Sequence, residues 1–201
     1  MHESSLRHMR RLADNYLKAG EPLTIADLGS CDVNGSYRPL FDRPGWRYIG
    51  VDLAPGTNVD CVLDSPYRLP FAGNSIDVFV SGQAFEHVEF FWLTWLEMAR
   101  VVKPGGLIFL IAPSRGPEHR YPVDCWRFYP DAYAALAKYA ALDLLEATAD
   151  WQPDAAADSA AWGDTVGVFR KPYQGLGRQL ISGLMCRLRY WTMPGFRRRT
   201  V

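Results

Sequence analysis

Three aspartates close apolar runs in the first third of the chain: Asp27 in LTIADLG, Asp52 in WRYIGVD and Asp64 in VDCVLD. A carboxylate at a strand end is placed to accept hydrogen bonds from a ligand lying across the rim of a sheet. Asp52 follows Asp27 by 25 residues, the place where an acid takes the two ribose hydroxyls of a nucleoside. Asp64 is suited to an adenine amino group. Any one of the three reads equally well as a turn former, but three in register favour a binding rim.

The loop after Asp27, GSCDVNGS, decides between nucleosides. A dinucleotide site needs G-x-G-x-x-G opening a helix whose N-terminus receives the pyrophosphate. Here Gly29 is followed by Cys31 and Val33, the next glycine is Gly35, and Asp32 sets a negative charge where a phosphate would lie. A sulfonium nucleoside has no phosphate and carries a positive centre, so nearby carboxylates suit it.

Proton-transfer chemistry is offered further on, in two stretches. FEHVEFF places Glu86 and His87 just after a strand, with Glu86 as orienting partner of the imidazole or as a cap of the next helix. PSRGPEHRYPVDCWRFYP, residues 113–130, is a long connection dense in prolines, arginines and aromatics, the composition of a site carried on a rigid scaffold. Its His119, oriented by Asp124, is a candidate general base beside His87. Arg115, Glu118, Arg120, Tyr121, Trp126 and Arg127 supply donors, acceptors and flat faces for a polyhydroxylated acceptor. The same residues also read as a lid whose arginines and acids pair with one another. Glu86, Glu118 and Asp124 have oxygen ligands for a divalent ion such as magnesium, but their spacing does not demand a metal.

The elements that must position these residues alternate. Leu6, Met9, Leu12, Tyr16 and Leu17 recur at helical spacing and predict a helix over 4–19. Strands are predicted at 23–29, 46–52, 59–64, 75–82, 106–113, 142–148 and 164–172, and helices at 90–102 and 130–140. Runs such as SIDVFVSG and GLIFLIAP are apolar throughout, as in strands covered on both faces. The order predicts a doubly wound, Rossmann-like α/β sheet of about seven strands with flanking helices. Trp92 and Trp95 read as helix packing or a dimer face rather than a sugar platform. The acidic, small-residue segment 149–163 reads as a surface loop.

The 201 residues carry no net charge, yet all 22 acids lie at or before Asp164 and the last 31 residues hold seven Lys or Arg. An acidic body is a poor match for nucleic acid. Residues 172–201 read as a basic amphipathic tail that docks on the acidic body or on a second subunit, and a homodimer is expected. Cys31, Cys61, Cys125 and Cys186 lack paired spacing, no apolar run is long enough to span a bilayer, and a cytoplasmic protein is expected.

The ordered set IADLGS, YIGVD, VLDSPYRLPF, SIDVFVSGQAFEHV and EMARVVKPGGLIFLIAP resembles the class I S-adenosylmethionine-dependent methyltransferases, in particular the type 11 group, over residues 23–113 and on to about 171. The resemblance implies a methyltransferase domain over 1–171 with S-adenosyl-L-methionine as cofactor. Asp27, Gly29 and Ser30 would lie near its methionine part, Asp52 and Leu53 at the ribose, Asp64 and Ser65 at the adenine, and Gly82 and Gln83 in the loop facing it. The departure is D-L-G-S-C-D-V where the family has D-x-G-x-G-x-G. The run HRYPVDCWRFYPD resembles methyltransferases of polysaccharide biosynthesis, which implies O-methylation of a sugar or oligosaccharide, for instance a methylmannose-type precursor. Another small-molecule or lipid hydroxyl, or a silent methyltransferase-like binding module, are the alternatives. SGQAFEH stands where nucleic-acid methyltransferases carry an N-P-P-Y-type motif.

Overall fold

A computed structural model describes residues 3–151, 161–173 and 188. Most of the predicted surface loop at 149–163 and nearly all of the predicted basic tail lie outside the described residues.

Seven strands form one sheet in the order β3-β2-β1-β4-β5-β7-β6. They are β1 (Leu23–Leu28), β2 (Trp46–Asp52), β3 (Cys61–Val62), β4 (Ile76–Gly82), β5 (Val102–Pro113), β6 (Asp143–Ala149) and β7 (Asp164–Arg170). The first five are mutually parallel, and β7 runs antiparallel between β5 and β6. The order reverses at β1, which has β2 on one side and β4 on the other, so a crevice opens there at the carboxyl ends of the strands.

Helices cover both faces. α1 (Glu3–Tyr16) and the single turn α2 (Arg38–Phe41) lie on one, α3 (Phe91–Val101) and α4 (Pro130–Ala140) on the other. Strand alternation sorts the core accordingly. Ile25, Val78, Val80, Phe109 and Ile111 pack toward α1, while Ala26, Phe79, Ile108 and Leu110 pack toward α3 and α4. Among the described residues no helix is long and apolar enough to cross a membrane.

Two of the differences from the sequence-based expectation concern how strands and helices end. The strand expected over 59–64 pairs only at Cys61–Val62, because the Asp60 carboxylate turns back to the Gly50 amide (2.7 Å) and holds the approaching chain as a loop. The helix expected over 90–102 ends at Val101, ahead of Pro104, and β5 begins at once with an irregularity in its pairing to β4. There Lys171, just after β7, donates from Nζ to the Ala99 and Val102 carbonyls (2.7 and 2.8 Å), closing the end of α3.

Trp95 belongs to the core. It is 0% exposed, its indole N–H donates to the Leu136 carbonyl (2.9 Å), and its ring meets Phe85 and Phe169 edge-on. Trp92 is half-buried among Phe90, Phe91 and Trp126. Truncating Trp95 to Ala opens a cavity and removes a buried hydrogen bond, so W95A should cost about 3–5 kcal/mol and W92A less than half of that. Urea unfolding of the two variants checks this, and equal losses would contradict the packing described.

Candidate active site

The first half of the site is the crevice beside β1. Gly29 leaves the strand at φ +82°, and a Cβ placed on it would stand 2.6 Å from the Ala84 Cβ, so the turn requires glycine twice over. Cys31 and Val33 do not share that need: among the described residues neither has positive φ, and the left-handed position is supplied by Gly35 at φ +118°. The loop is pinned by Asp32. Its carboxylate accepts from the Gly35 amide (2.7 Å) and from Asn58 Nδ2 (3.3 Å), while its own amide donates to the Thr57 carbonyl (3.0 Å). This is how the turn is held without the family's second and third glycines.

The rim acids differ in state. Asp52 Oδ2 accepts from the Cys31 amide (3.1 Å), which ties the two strand ends together, and keeps a second lone pair, while Oδ1 accepts from the Leu53 and Ala54 amides (2.7 and 3.4 Å). Leu53 is half exposed next to it, and Asp64 is exposed just beyond β3, where the Ser65 hydroxyl accepts from the Tyr67 amide (3.2 Å). Ser30 is buried, with its hydroxyl 3.3 Å from the Asn58 carbonyl.

Asp27 is buried. The Tyr48 hydroxyl donates to Oδ2, and Oδ1 has no hydrogen-bond partner among the described residues. Burial raises its carboxyl to about 7, partly offset by the Tyr48 hydrogen bond. An orphaned carboxylate oxygen at a strand end suits a positively charged ligand group, which fits a sulfonium or ammonium better than a phosphate.

The second half lies beyond β4 and β5. Gly82 allows Tyr37 to pass: a Cβ there would fall 1.9 Å from the Tyr37 hydroxyl, which itself meets the Ser5 hydroxyl of α1 at 2.5 Å. Gln83, at φ +57°, donates from Nε2 to Asp164 Oδ1 (2.7 Å), and Ser4 donates to Oδ2 (2.8 Å). Ser4, Ser5, Tyr37 and Asp164 thus close the floor of the site from three distant segments. No motif announces them, since each is an isolated polar residue in its own stretch of sequence.

Glu86 is 0% exposed and its two oxygens bond no other described residue. Oε1 lies 3.7 Å from His87 Nε2 and 3.9 Å from His119 Nε2. Burial lifts its carboxyl to about 8, and burial likewise lowers the His87 imidazole. His87 Nδ1 is 2.6 Å from the Val123 carbonyl, which accepts only, so the proton of the neutral ring sits on Nδ1. His119 Nδ1 is 3.2 Å from Asp124 Oδ2. Asp124 also accepts the His119 amide (2.7 Å) and a two-pronged pair from Arg127 (2.6 and 2.8 Å), and that guanidinium holds its carboxyl far below the usual range.

The remaining loop residues divide between scaffold and rim. Arg127 also donates to the Pro117 carbonyl (2.9 Å), drawing the loop into a closed shape. Trp126 turns inward against Phe91 and Trp92 and donates to the Val88 carbonyl (3.1 Å), so it anchors the loop on α3. Glu118 and Arg120 pair with each other at 2.7 Å on the exposed side. Arg115 is exposed, Tyr121 lies edge-on to His87 at 6.5 Å, and Trp162, a residue the sequence did not single out, stands 4.3 Å from the His119 ring.

With this geometry the comparisons gain meaning. Residues 26–110 match the family model described as a methyltransferase domain. An uncharacterised methyltransferase of Mycolicibacterium paratuberculosis is 33% identical over 113 residues, covering 49% of this chain and 44% of the relative. The chain therefore spans less than half the length of such curated relatives. The fold is similar to Burkholderia thailandensis 1,6-didemethyltoxoflavin-N1-methyltransferase, solved with its substrate and S-adenosylhomocysteine (TM-score 0.65, 16% identity, 85% of this chain and 80% of that one). It is also similar to a Haemonchus contortus phosphoethanolamine N-methyltransferase (TM-score 0.62, 15% identity, 85% and 52%). Over residues 26–110 the chain is thus similar to methyltransferases, and its seven-strand sheet with flanking helices has the fold of the methyltransferase neighbours.

Asp27 generates a pH prediction. Its folded carboxyl titrates near 7 against about 3.8 unfolded, so between those values the folded state holds a proton the unfolded state has lost. The Asp27 contribution to stability should fall as pH rises through that window, by at most about 1.4 kcal/mol per unit, and level off above it. Asp27→Asn keeps the acceptor for Tyr48 and removes this contribution, leaving the one of the same sign from Glu86. Urea midpoints from pH 4 to 8 should show the variant gaining on the parent as pH rises. Parallel curves would rule out a raised Asp27.

Proposed function

We propose that this chain transfers the methyl group of S-adenosylmethionine to a hydroxyl of a sugar or oligosaccharide. The observation that carries the reading is the convergence of Glu86, His87 and His119 next to the strand ends that bear Asp27 and Gly29. Methyl transfer is an in-line displacement, and a hydroxyl acceptor, unlike an amine, needs a group ready to take its proton. The bound cofactor supplies an activated methyl on a positive sulfur. The chain's own residues do the rest.

On the cofactor side, the Gly29 turn admits close backbone approach, Asp27 offers an oxygen to a positive group, and Asp52 keeps an Oδ2 lone pair for the ribose, with Leu53 and Asp64 beside it for the base. On the acceptor side, Nε2 of His87 and of His119 carry the imidazole lone pairs, and Asp124 holds His119 by its backbone amide with its charge beside the ring. Gln83, held by Asp164, fixes the loop between the two halves. Arg115, Glu118, Arg120 and Tyr121 form an exposed polar rim, which supports an acceptor with several hydroxyls.

Calorimetric titration with S-adenosylhomocysteine, with NAD as the comparison, should show binding of the first alone, and Gly29→Ala should weaken it at least tenfold. His87→Ala and His119→Ala should keep that affinity, and at least one should lose on the order of 100-fold or more in turnover on a sugar acceptor. Methylation of another acceptor class while mono- and oligosaccharides stay unmodified would overturn the sugar assignment. Failure to bind S-adenosylhomocysteine would favour the silent binding module.

A further inference from the structure

Glu86, His87 and His119 turn only hydrogen-bond acceptors toward one another. The Val123 carbonyl fixes the His87 proton on Nδ1, and the charge of Asp124, 3.2 Å from His119 Nδ1 though without hydrogen-bond geometry, favours the same tautomer in His119. Both Nε2 atoms lie near Glu86 Oε1, at 3.7 and 3.9 Å. Neither Glu86 oxygen is bonded by another described residue, although the side chain is fully buried. Three acceptors converging on a fully buried carboxylate repel unless something positive sits among them. A proton satisfies one pair at a time, whereas a divalent cation satisfies all three.

We propose that Glu86, His87 and His119 bind a divalent transition-metal ion through one carboxylate oxygen and two Nε2 atoms. The three ligand atoms already lie within 4.8 Å of one another. An ion with bonds of about 2.0–2.2 Å holds its ligands roughly 3–3.5 Å apart, so rotations moving each atom by about 1 Å close the set. The outer contacts are those of a built site. His87 has its other nitrogen on a carbonyl, while His119 is fixed through its backbone amide on the Asp124 carboxylate, which lies 3.2 Å from Nδ1 without hydrogen-bond geometry and is locked by Arg127. Two nitrogens and one oxygen suit Zn²⁺, Mn²⁺, Fe²⁺ or Co²⁺ and disfavour Mg²⁺ and Ca²⁺, which want oxygen throughout. The all-oxygen combination with Glu118 and Asp124 is not formed, because Arg120 and Arg127 take those two carboxylates.

Three protein ligands leave positions open for water or a hydroxyl oxygen. The catalytic meaning rests on the methyl-transfer reading: a sugar hydroxyl bound there would lose its proton near neutral pH, with the imidazoles acting as ligands instead of bases.

The test uses the untagged full chain, stripped with a chelator and titrated with Zn²⁺ and, separately, Mg²⁺, together with the absorption spectrum of the Co²⁺-loaded protein. One Zn²⁺ per chain, little Mg²⁺ binding, and at least tenfold weaker Zn²⁺ affinity in both Glu86→Gln and His119→Ala support the site. No stoichiometric Zn²⁺ binding, or undiminished affinity in those variants, overturns it. Should the variants not fold, by circular dichroism, the Co²⁺ spectrum decides: a thiolate charge-transfer band would place the ion at cysteine and overturn the proposal, and a nitrogen–oxygen spectrum would support it. S-adenosylhomocysteine titration of the same samples keeps the two readings apart, since metal binding without cofactor binding would defeat methyl transfer alone.

Discussion

The parallel pairing of β1 with β2 on one side and β4 on the other is the constraint from which the rest follows. Asp27 is opposite Gly50 in one register and Val80 in the other. The carboxyl ends of β1 to β5 are thereby brought to one rim, and the chain must leave β1 through a turn with its neighbour Ala84 already in place. Gly29 is the residue that meets that demand, and the Asp52 carboxylate, accepting the Cys31 amide, locks the same two strand ends from the other side. Moving β1 by one residue would turn Asp27 toward α3 and Ala26 toward α1 and dissolve the site.

Around that rim the fold buries an unusual share of acid. Asp27, Glu86 and Asp164 are each at most 1% exposed, and only Asp164 is satisfied at both oxygens, by Gln83 and Ser4. Burying a carboxylate without partners costs several kcal/mol or forces it to hold a proton. Both unsatisfied acids sit where the proposed chemistry wants a negative group, Asp27 toward a cationic cofactor and Glu86 toward two imidazoles. Stability has been given up at positions where a ligand can restore it.

Much of this architecture was legible along the chain. Alternating apolar runs and helical periodicities located all seven strands and the three long helices, because buried parallel strands and amphipathic helices leave patterns readable over ten residues. The acids ending β1 and β2 were readable for the same reason, whereas Pro104, Gly105 and Gly106, which stop α3 in the sequence pattern, lie within β5. The short α2 was not, since one turn carries no periodicity. The loop's unusual glycine spacing looked like a defect, and became intelligible once Asp32 was seen bridging to Gly35 and Asn58, a contact across 26 residues.

What the sequence determined by itself, then, is the order of elements, the family resemblance and the residue types available at each strand end, all of which depend on local pattern. Only the tertiary structure decided which of those residues meet. It drew Glu86 and His87 together with His119 across a 32-residue gap, took Trp126 inward to α3, gave Asp124 to Arg127, and added Ser4, Tyr37, Trp162 and Asp164 from segments with no signal of their own. The reason is physical: hydrogen bonds and burial at the site act between residues far apart in the chain, and their geometry exists only after the sheet has set its register.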